Sequence, residues 1–242
     1  MSSSGAPLIG GLTIEENLEL YLIAFNAAVA AFRPFSVTSF GTSDLGDDYT
    51  KVTVDLSSRG QLPEGTTEAQ ETSYKKLNLC DTFYDILFEE VEERLQPYHA
   101  SVKYAVVDPK PTRSLVTRDE KPLVLHSVFQ IRKQDGSEVI FDGTAEQFGW
   151  PVSNAIMKGD DFWHHYTNSV SSVDGFSTYG MSLERSKRND NGYWYDVGIS
   201  LRQMLRSLDW ASLEGMATSD REDYVRVEAM RRAQAAAQAC WG

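Results

Sequence analysis

Three residues of this chain have the types that thiol chemistry needs, in an order that such chemistry can use: Cys80, His126 and Asp142. A cysteine in the first turn of a helix gains from the helix dipole and from backbone N–H groups without helical partners, both of which favour the thiolate. A histidine on a strand can take the thiol proton, and a carboxylate beside it fixes the imidazole tautomer and stabilises its charged form. Asp81, next to the thiol, works the other way and opposes its ionisation. Taken singly, each residue has an ordinary structural reading. Cys80 opens an apolar stripe and packs as a small hydrophobe, His126 is a strand histidine with its bonds satisfied, and Asp142-Gly143 is a turn. Their joint occurrence, in this order and on suitable elements, points to a catalytic triad.

The stretch from Pro122 to Trp150 must position two of the three. Two runs rich in Val, Ile, Leu and Phe flank Gln134-Asp135-Gly136, a hairpin signal, because Gly accepts the positive φ of a tight reversal. A two-residue loop would place Asp142 opposite Phe129, pointing away from His126. A three-residue loop with Gly136 in the left-handed bulge position pairs Lys133 with Ser137. Asp142 then sits opposite Val128, on the face of His126 and diagonal to it, about 7 Å away at the backbone. The second register is preferred, since the first aims one polar group into the layer expected to hold Leu125, Phe129 and Ile131.

The third residue depends on a helix. Asn78 reads as an N-cap with Cys80 in the first turn, and Phe83, Leu87, Val91 and Leu95 continue an apolar stripe until Gln96-Pro97 stops it. Glu89, Glu90, Glu92 and Glu93 make its solvated face. Ahead of it, Thr13 with Glu16 is a capping box that opens a helix to Phe32, and Thr67 with Gln70 opens another that ends near Lys75-Lys76. Gly41 to Asp48 reads as a polar turn, Val52, Val54 and Leu56 as a half-buried strand, and Ser57 to Gly65 as loop. Val102 to Val107 reads as a strand and residues 113–120 as a surface loop.

Beyond the hairpin, Gly159 to Tyr166 reads as helical. Met181 to Lys187 and Tyr193 to Val197, joined through Asn191-Gly192, read as a second hairpin. Leu201 to Leu208 is helical, and Ser219 with Glu222 caps a last helix that reaches Cys240. The order of elements belongs to the α+β class, a mostly antiparallel sheet with helices packed on one side. Residues 12–242 read as one domain, with no linker or repeat to divide them, and residues 1–11 as a disordered N-terminus.

On the motifs Leu77-Asn78-Leu79-Cys80-Asp81-Thr82-Phe83-Tyr84, Leu125-His126-Ser127-Val128-Phe129 and Val139-Ile140-Phe141-Asp142-Gly143-Thr144, the chain resembles the papain-like and transglutaminase-like superfamily, which includes the arylamine N-acetyltransferases. Those proteins place Cys at the head of a helix packed on an antiparallel sheet, His on a later strand, and Asp or Asn on the strand after it. The resemblance covers roughly residues 75 to 150. It implies a papain-like core, Cys80 as nucleophile, His126 as base and Asp142 as the orienting residue.

Composition narrows the partners. At 41% hydrophobic and 24% charged residues the chain is that of a soluble globular protein, and its formal net charge of −12 repels phosphate, which argues against bulk binding to nucleic acid or anionic lipid. The absence of a membrane-length apolar run and of a basic, apolar leader points to the cytoplasm. In that reducing compartment two cysteines form no structural disulfide, and without a Cys-x-x-Cys pair there is no zinc framework of that kind. His164 and His165 with Asp160 and Asp161 invite a metal reading, yet adjacent residues point to different sides of any regular element. No metal and no cofactor is expected.

Two further residues are assigned to substrate: Gln147, whose side-chain amide could polarise a carbonyl, and Trp150, which with Phe162, Trp163, Tyr193, Trp194 and Tyr195 could wall an acyl pocket, although core packing explains all of them as well. Three functions follow. The chain is a thiol hydrolase of an amide or thioester, a thiol acyltransferase or aminoacyltransferase in which an amine attacks the acyl-cysteine, or a binding module that keeps the fold only. The first two take a small-molecule or peptide acyl donor, and the second an amine acceptor. Oligomeric state is not encoded in these features.

Overall fold

The structure, a computed structural model, describes residues 11–117, 125–174 and 183–242. Two of the three expected capping boxes are formed. Thr13 Oγ1 accepts from the Glu16 N–H, the Glu16 carboxylate accepts from the Thr13 N–H, and helix α1 runs over Ile14–Ala31. Thr67 and Gln70 make the same reciprocal pair at the start of α2, Glu68–Lys76. After α1 the chain forms β1 (Phe35–Thr42) and β2 (Tyr49–Arg59), an antiparallel pair whose ends take in residues the sequence assigns to turn and loop.

Helix α3 spans Cys80–Leu95, and Phe83, Leu87, Val91 and Leu95 are all fully buried. Its N-cap is Leu79 and not Asn78, and no side chain caps it. Asn78 instead takes a left-handed conformation, φ +62°, because the chain must reverse between α2 and α3 within three residues and Asn is among the few L residues that tolerate that region.

The main sheet contains β3 (Ser101–Pro109), β5 (His126–Arg132), β6 (Glu138–Phe141), β7 (Ile156–Lys158) and β8 (Thr167–Asp174), in the order β7-β6-β5-β3-β8 and antiparallel throughout. A smaller mixed sheet, β1-β2-β4, adds the four residues of β4 (Ser114–Thr117) parallel to β2. That strand falls where the sequence suggests a surface loop. Ser114, Leu115 and Val116 are buried, but two apolar residues beside Arg113 are too short a pattern to announce a strand.

The two faces of the main sheet carry different cores. On one, Val102, Phe129, Ile131, Val139 and Phe141 meet α3 and join a core with α1, α5 (Tyr193–Ser207) and α7 (Thr218–Trp241). Phe83 is the hub, its ring edge-on to Phe25, Phe129 and Phe141 at centroid distances of 4.8, 5.4 and 4.9 Å. On the other face, Ala105, Val107, Val128 and Ile140 meet Ala145, Phe148, Trp150 and Phe162. Phe162 belongs to α4 (Gly159–His165), so the long helices gather on one side as expected and one short helix covers the opposite side.

The second expected hairpin is absent. Tyr193 to Val197 opens α5, where Tyr193, Trp194, Val197, Leu201, Met204 and Leu205 are buried at helical spacing. Asn191 and Gly192 do take positive φ, but they serve as the turn into that helix. Of the first half of that expected hairpin, Leu183–Arg188 forms 3-10 turns, and residues 181 and 182 lie outside the described residues. A five-residue helix, α6 (Trp210–Glu214), precedes α7. Ser219 with Glu222 does not cap the last helix: α7 begins at Thr218, with Ala217 at its N-cap and no side-chain cap, and packs through Ala229, Ala233 and Ala236.

Among the described residues no helix is long and apolar enough to cross a membrane.

Candidate active site

The hairpin loop decides the geometry. Lys133 N–H donates to the Ser137 carbonyl at 2.8 Å, Gly136 N–H donates back to Lys133 at 3.0 Å, and Gly136 has φ +83°, so the loop has three residues with Gly136 in the left-handed place. Arg132 pairs with Glu138 and Phe129 with Phe141. Asp142 therefore follows opposite Val128, and its carboxylate reaches the same face as His126. His126 Nε2 lies 2.7 Å from Asp142 Oδ2, with His126 fully buried and Asp142 nearly so.

Asp142 is itself held. Its Oδ1 accepts from Thr144 N–H at 2.9 Å and from Thr144 Oγ1 at 3.1 Å, and its own N–H donates to Ala155 at 2.8 Å. A carboxylate fixed through one oxygen presents the other to the imidazole in a single orientation. Gly143 between them is required by a close approach: a Cβ there would stand 2.3 Å from the Phe83 ring. The helix that carries Cys80 thus presses directly on the turn that carries Asp142.

Cys80 occupies the first turn of α3, buried at 7% exposure. Asp142 takes Nε2 of His126, and Nδ1 has no hydrogen-bond partner. The Cys80 thiol is close enough to act on that imidazole electrostatically. Burial works against a charged His126. The Asp142 carboxylate, by charge and hydrogen bond, with a smaller contribution from Cys80, outweighs it and pushes His126 up to about 10. Phe148 and Trp150 close the imidazole off from solvent, with ring centroids at 4.6 and 5.8 Å.

Gln147 and Trp150 are at the site in other postures than substrate recognition suggests. Gln147 Nε2 donates to Thr144 Oγ1 at 2.9 Å, and its Oε1 accepts from the Asn78 N–H at 3.1 Å. Both ends of the amide are used, and the residue is fully buried. A continuous line of hydrogen bonds therefore runs from Asn78, two residues before the thiol, through Gln147, Thr144 and Asp142 to His126. Trp150 is buried against His126, and its Nε1 donates to the Lys110 carbonyl at 3.0 Å. A nearby ion pair, Lys76 Nζ to both Glu146 carboxylate oxygens at 2.7 and 2.8 Å, fastens the end of α2 to the same turn.

His164 and His165 lie exposed at the end of α4, and among the described residues no three His, Cys, Asp or Glu side chains converge as metal ligands. Cys240 is partly buried near the end of α7, its thiol pushed up by burial and then by the Asp196 carboxylate.

Sequence reading did not find Thr144, nor Ser127 and Tyr104, whose hydroxyls donate to Asp81 Oδ1 at 2.6 and 2.9 Å. A signal existed for the first, since Asp followed two residues later by Thr is the pattern of a side chain bonding its own backbone ahead. None existed for the others, which come from two separated strands, β5 and β3.

Compared with known proteins, the chain matches no family model, no curated protein and no solved structure.

Proposed function

We propose that this protein is a thiol enzyme with a papain-like arrangement that transfers acyl groups through an acyl-Cys80 intermediate formed from an amide or thioester. The observation that carries this reading is the buried 2.7 Å contact between His126 Nε2 and Asp142 Oδ2, which leaves Nδ1 without a partner and able to take a thiol proton. In the forward step Cys80 Sγ bonds to the substrate carbonyl carbon, and the thiol proton is held on His126. First-turn N–H groups of α3, which have no helical partner, face the negative charge that develops on the carbonyl oxygen. The bond to the leaving amine or thiol breaks as His126 returns the proton to it. Water or an amine then attacks the thioester, gives its proton to His126, and the Cys80 sulfur departs.

Asp142 holds the ring and balances its charge throughout. An open groove of about 700 Å³ passes the start of α3, lined by Asn78, Leu79 and Thr82 with Phe35, Tyr74 and Trp194; Cys80, His126 and Asp142 are not on its lining. Burial of Cys80, His126 and Asp142 keeps water scarce at the thioester, the condition under which an amine acceptor competes with hydrolysis. Two free thiols suit a reducing, cytoplasmic setting.

The 7% exposure of Cys80 also favours a second reading, a binding module that retains the fold without turnover. Intact-mass and peptide mass spectrometry after incubation with a small acyl thioester separates the two. The catalytic reading expects an acyl adduct on Cys80 in the native protein, none in Cys80→Ser and a strongly reduced one in His126→Ala. An unmodified Cys80 throughout supports the binding module.

A further inference from the structure

Cys80 and Asp81 lie beside the start of β5, where His126 and Ser127 point to opposite faces of the sheet. Just as Cys80 meets His126, Asp81 meets Ser127. Asp81 Oδ1 accepts from Ser127 Oγ at 2.6 Å and from Tyr104 Oη at 2.9 Å, and the two hydroxyl oxygens are 2.6 Å apart. Three oxygens from α3, β5 and β3 thus close a triangle. We infer that Asp81, Ser127 and Tyr104 are positioning residues that fix the thiol of Cys80 against His126, an inference that rests on Cys80 being the nucleophile.

Two physical needs meet here. Helix α3 has no side-chain cap at its N-terminus, and Asp81, in its first turn, anchors that end to β5 and β3. The second need is electrostatic. A free carboxylate one residue from the thiol would oppose thiolate formation, whereas two hydroxyl donors hold its charge on the sheet side. Ser127 is buried and Tyr104 partly so, which strengthens both bonds relative to water. The Tyr104 ring is held in turn, edge-on to Tyr84 at 4.5 Å. Burial, above all, keeps its hydroxyl well above the ordinary range, so it stays a donor at neutral pH.

The test is the rate of iodoacetamide alkylation at Cys80 in the full chain, resolved from Cys240 by peptide mass spectrometry. Asp81→Ala, and the Ser127→Ala/Tyr104→Phe pair, should slow Cys80 by about tenfold and leave Cys240 unchanged. Asp81→Asn keeps an oxygen that accepts from both hydroxyls and removes the opposing charge, so it should react at least as fast as the native protein. That rescue is what a merely structural role would not produce. A native or higher rate in Asp81→Ala, or Asp81→Asn as slow as Asp81→Ala, overturns the inference. If Asp81→Ala does not fold, Tyr104→Phe alone decides: it keeps the ring and one hydroxyl bond, a slowing of about threefold is expected, and an unchanged rate overturns the proposal. His126→Ala separates the two levels. A Cys80 rate indifferent to His126 removes the triad and this inference with it, while a His126-dependent rate that ignores Asp81 removes this inference alone.

Discussion

Gly143→Ala is the smallest change that tests how α3, the hairpin and the site depend on one another. A Cβ at residue 143 would lie 2.3, 2.5 and 2.7 Å from three carbons of the Phe83 ring, well inside contact distance. The ring has nowhere to go. It is fully buried and stands edge-on to Phe25, Phe129 and Phe141. Either Phe83 leaves its rotamer or the 142–144 turn moves outward, and overpacking of this kind costs about 2–3 kcal/mol. Outward movement would also pull Asp142 off His126.

Urea unfolding gives the stability change from the midpoint at constant slope. Phe83→Leu alone should cost about 1–2 kcal/mol for the lost ring, but in the double variant the smaller side chain makes room for the new methyl. The pair should therefore be more stable than the sum of the single changes by about 1 kcal/mol or more. A Gly143→Ala protein within about 0.5 kcal/mol of native, or strictly additive single changes, would refute the close approach of Phe83 to this turn.

Three further outcomes follow from the same geometry. His126 has a folded pKa raised from its ordinary 6.5 to about 10, so its stabilising contribution is complete below about pH 6.5 and is lost as pH climbs toward 10; urea midpoints should fall across that window and do so less in His126→Gln. Leu87→Ala, at a fully buried position of the α3 stripe, should destabilise by about 3 kcal/mol in thermal or urea unfolding, and a near-neutral value would mean α3 is not central to the core. In an assay with the acyl thioester, Cys80→Ala should abolish turnover with the fold intact and Cys240→Ala should change nothing; Asp142→Asn should cost less than His126→Ala, because an amide oxygen can still accept from the imidazole. Full turnover in Cys80→Ala would end the thiol mechanism.

What the sequence determined by itself is whatever short-range chemistry specifies. The Thr13 and Thr67 capping boxes, the α3 stripe and the three-residue loop at Gly136 depend on residues within a few positions of one another, and all are formed. Even the shared face of His126 and Asp142 was legible, because a hairpin loop fixes register and a register of period two fixes the face.

Tertiary structure decided the rest. β4 exists because β2, more than fifty residues earlier, offers it a parallel edge, and Asn78 is left-handed because α2 and α3 both have surfaces to bury. The Tyr193 to Val197 run is helical because four-residue spacing, extended to Leu205, buries more than alternation would, a choice that a window of five residues cannot make. The long-range supports of the site, Gln147 to Asn78 and Asp81 to Ser127 and Tyr104, join residues that only packing brings together, whereas Thr144 to Asp142 is a local bond two residues long. A pattern of local periods contains the residues that could react, but the distances between them are set by contacts too far apart in the chain for any local rule to specify.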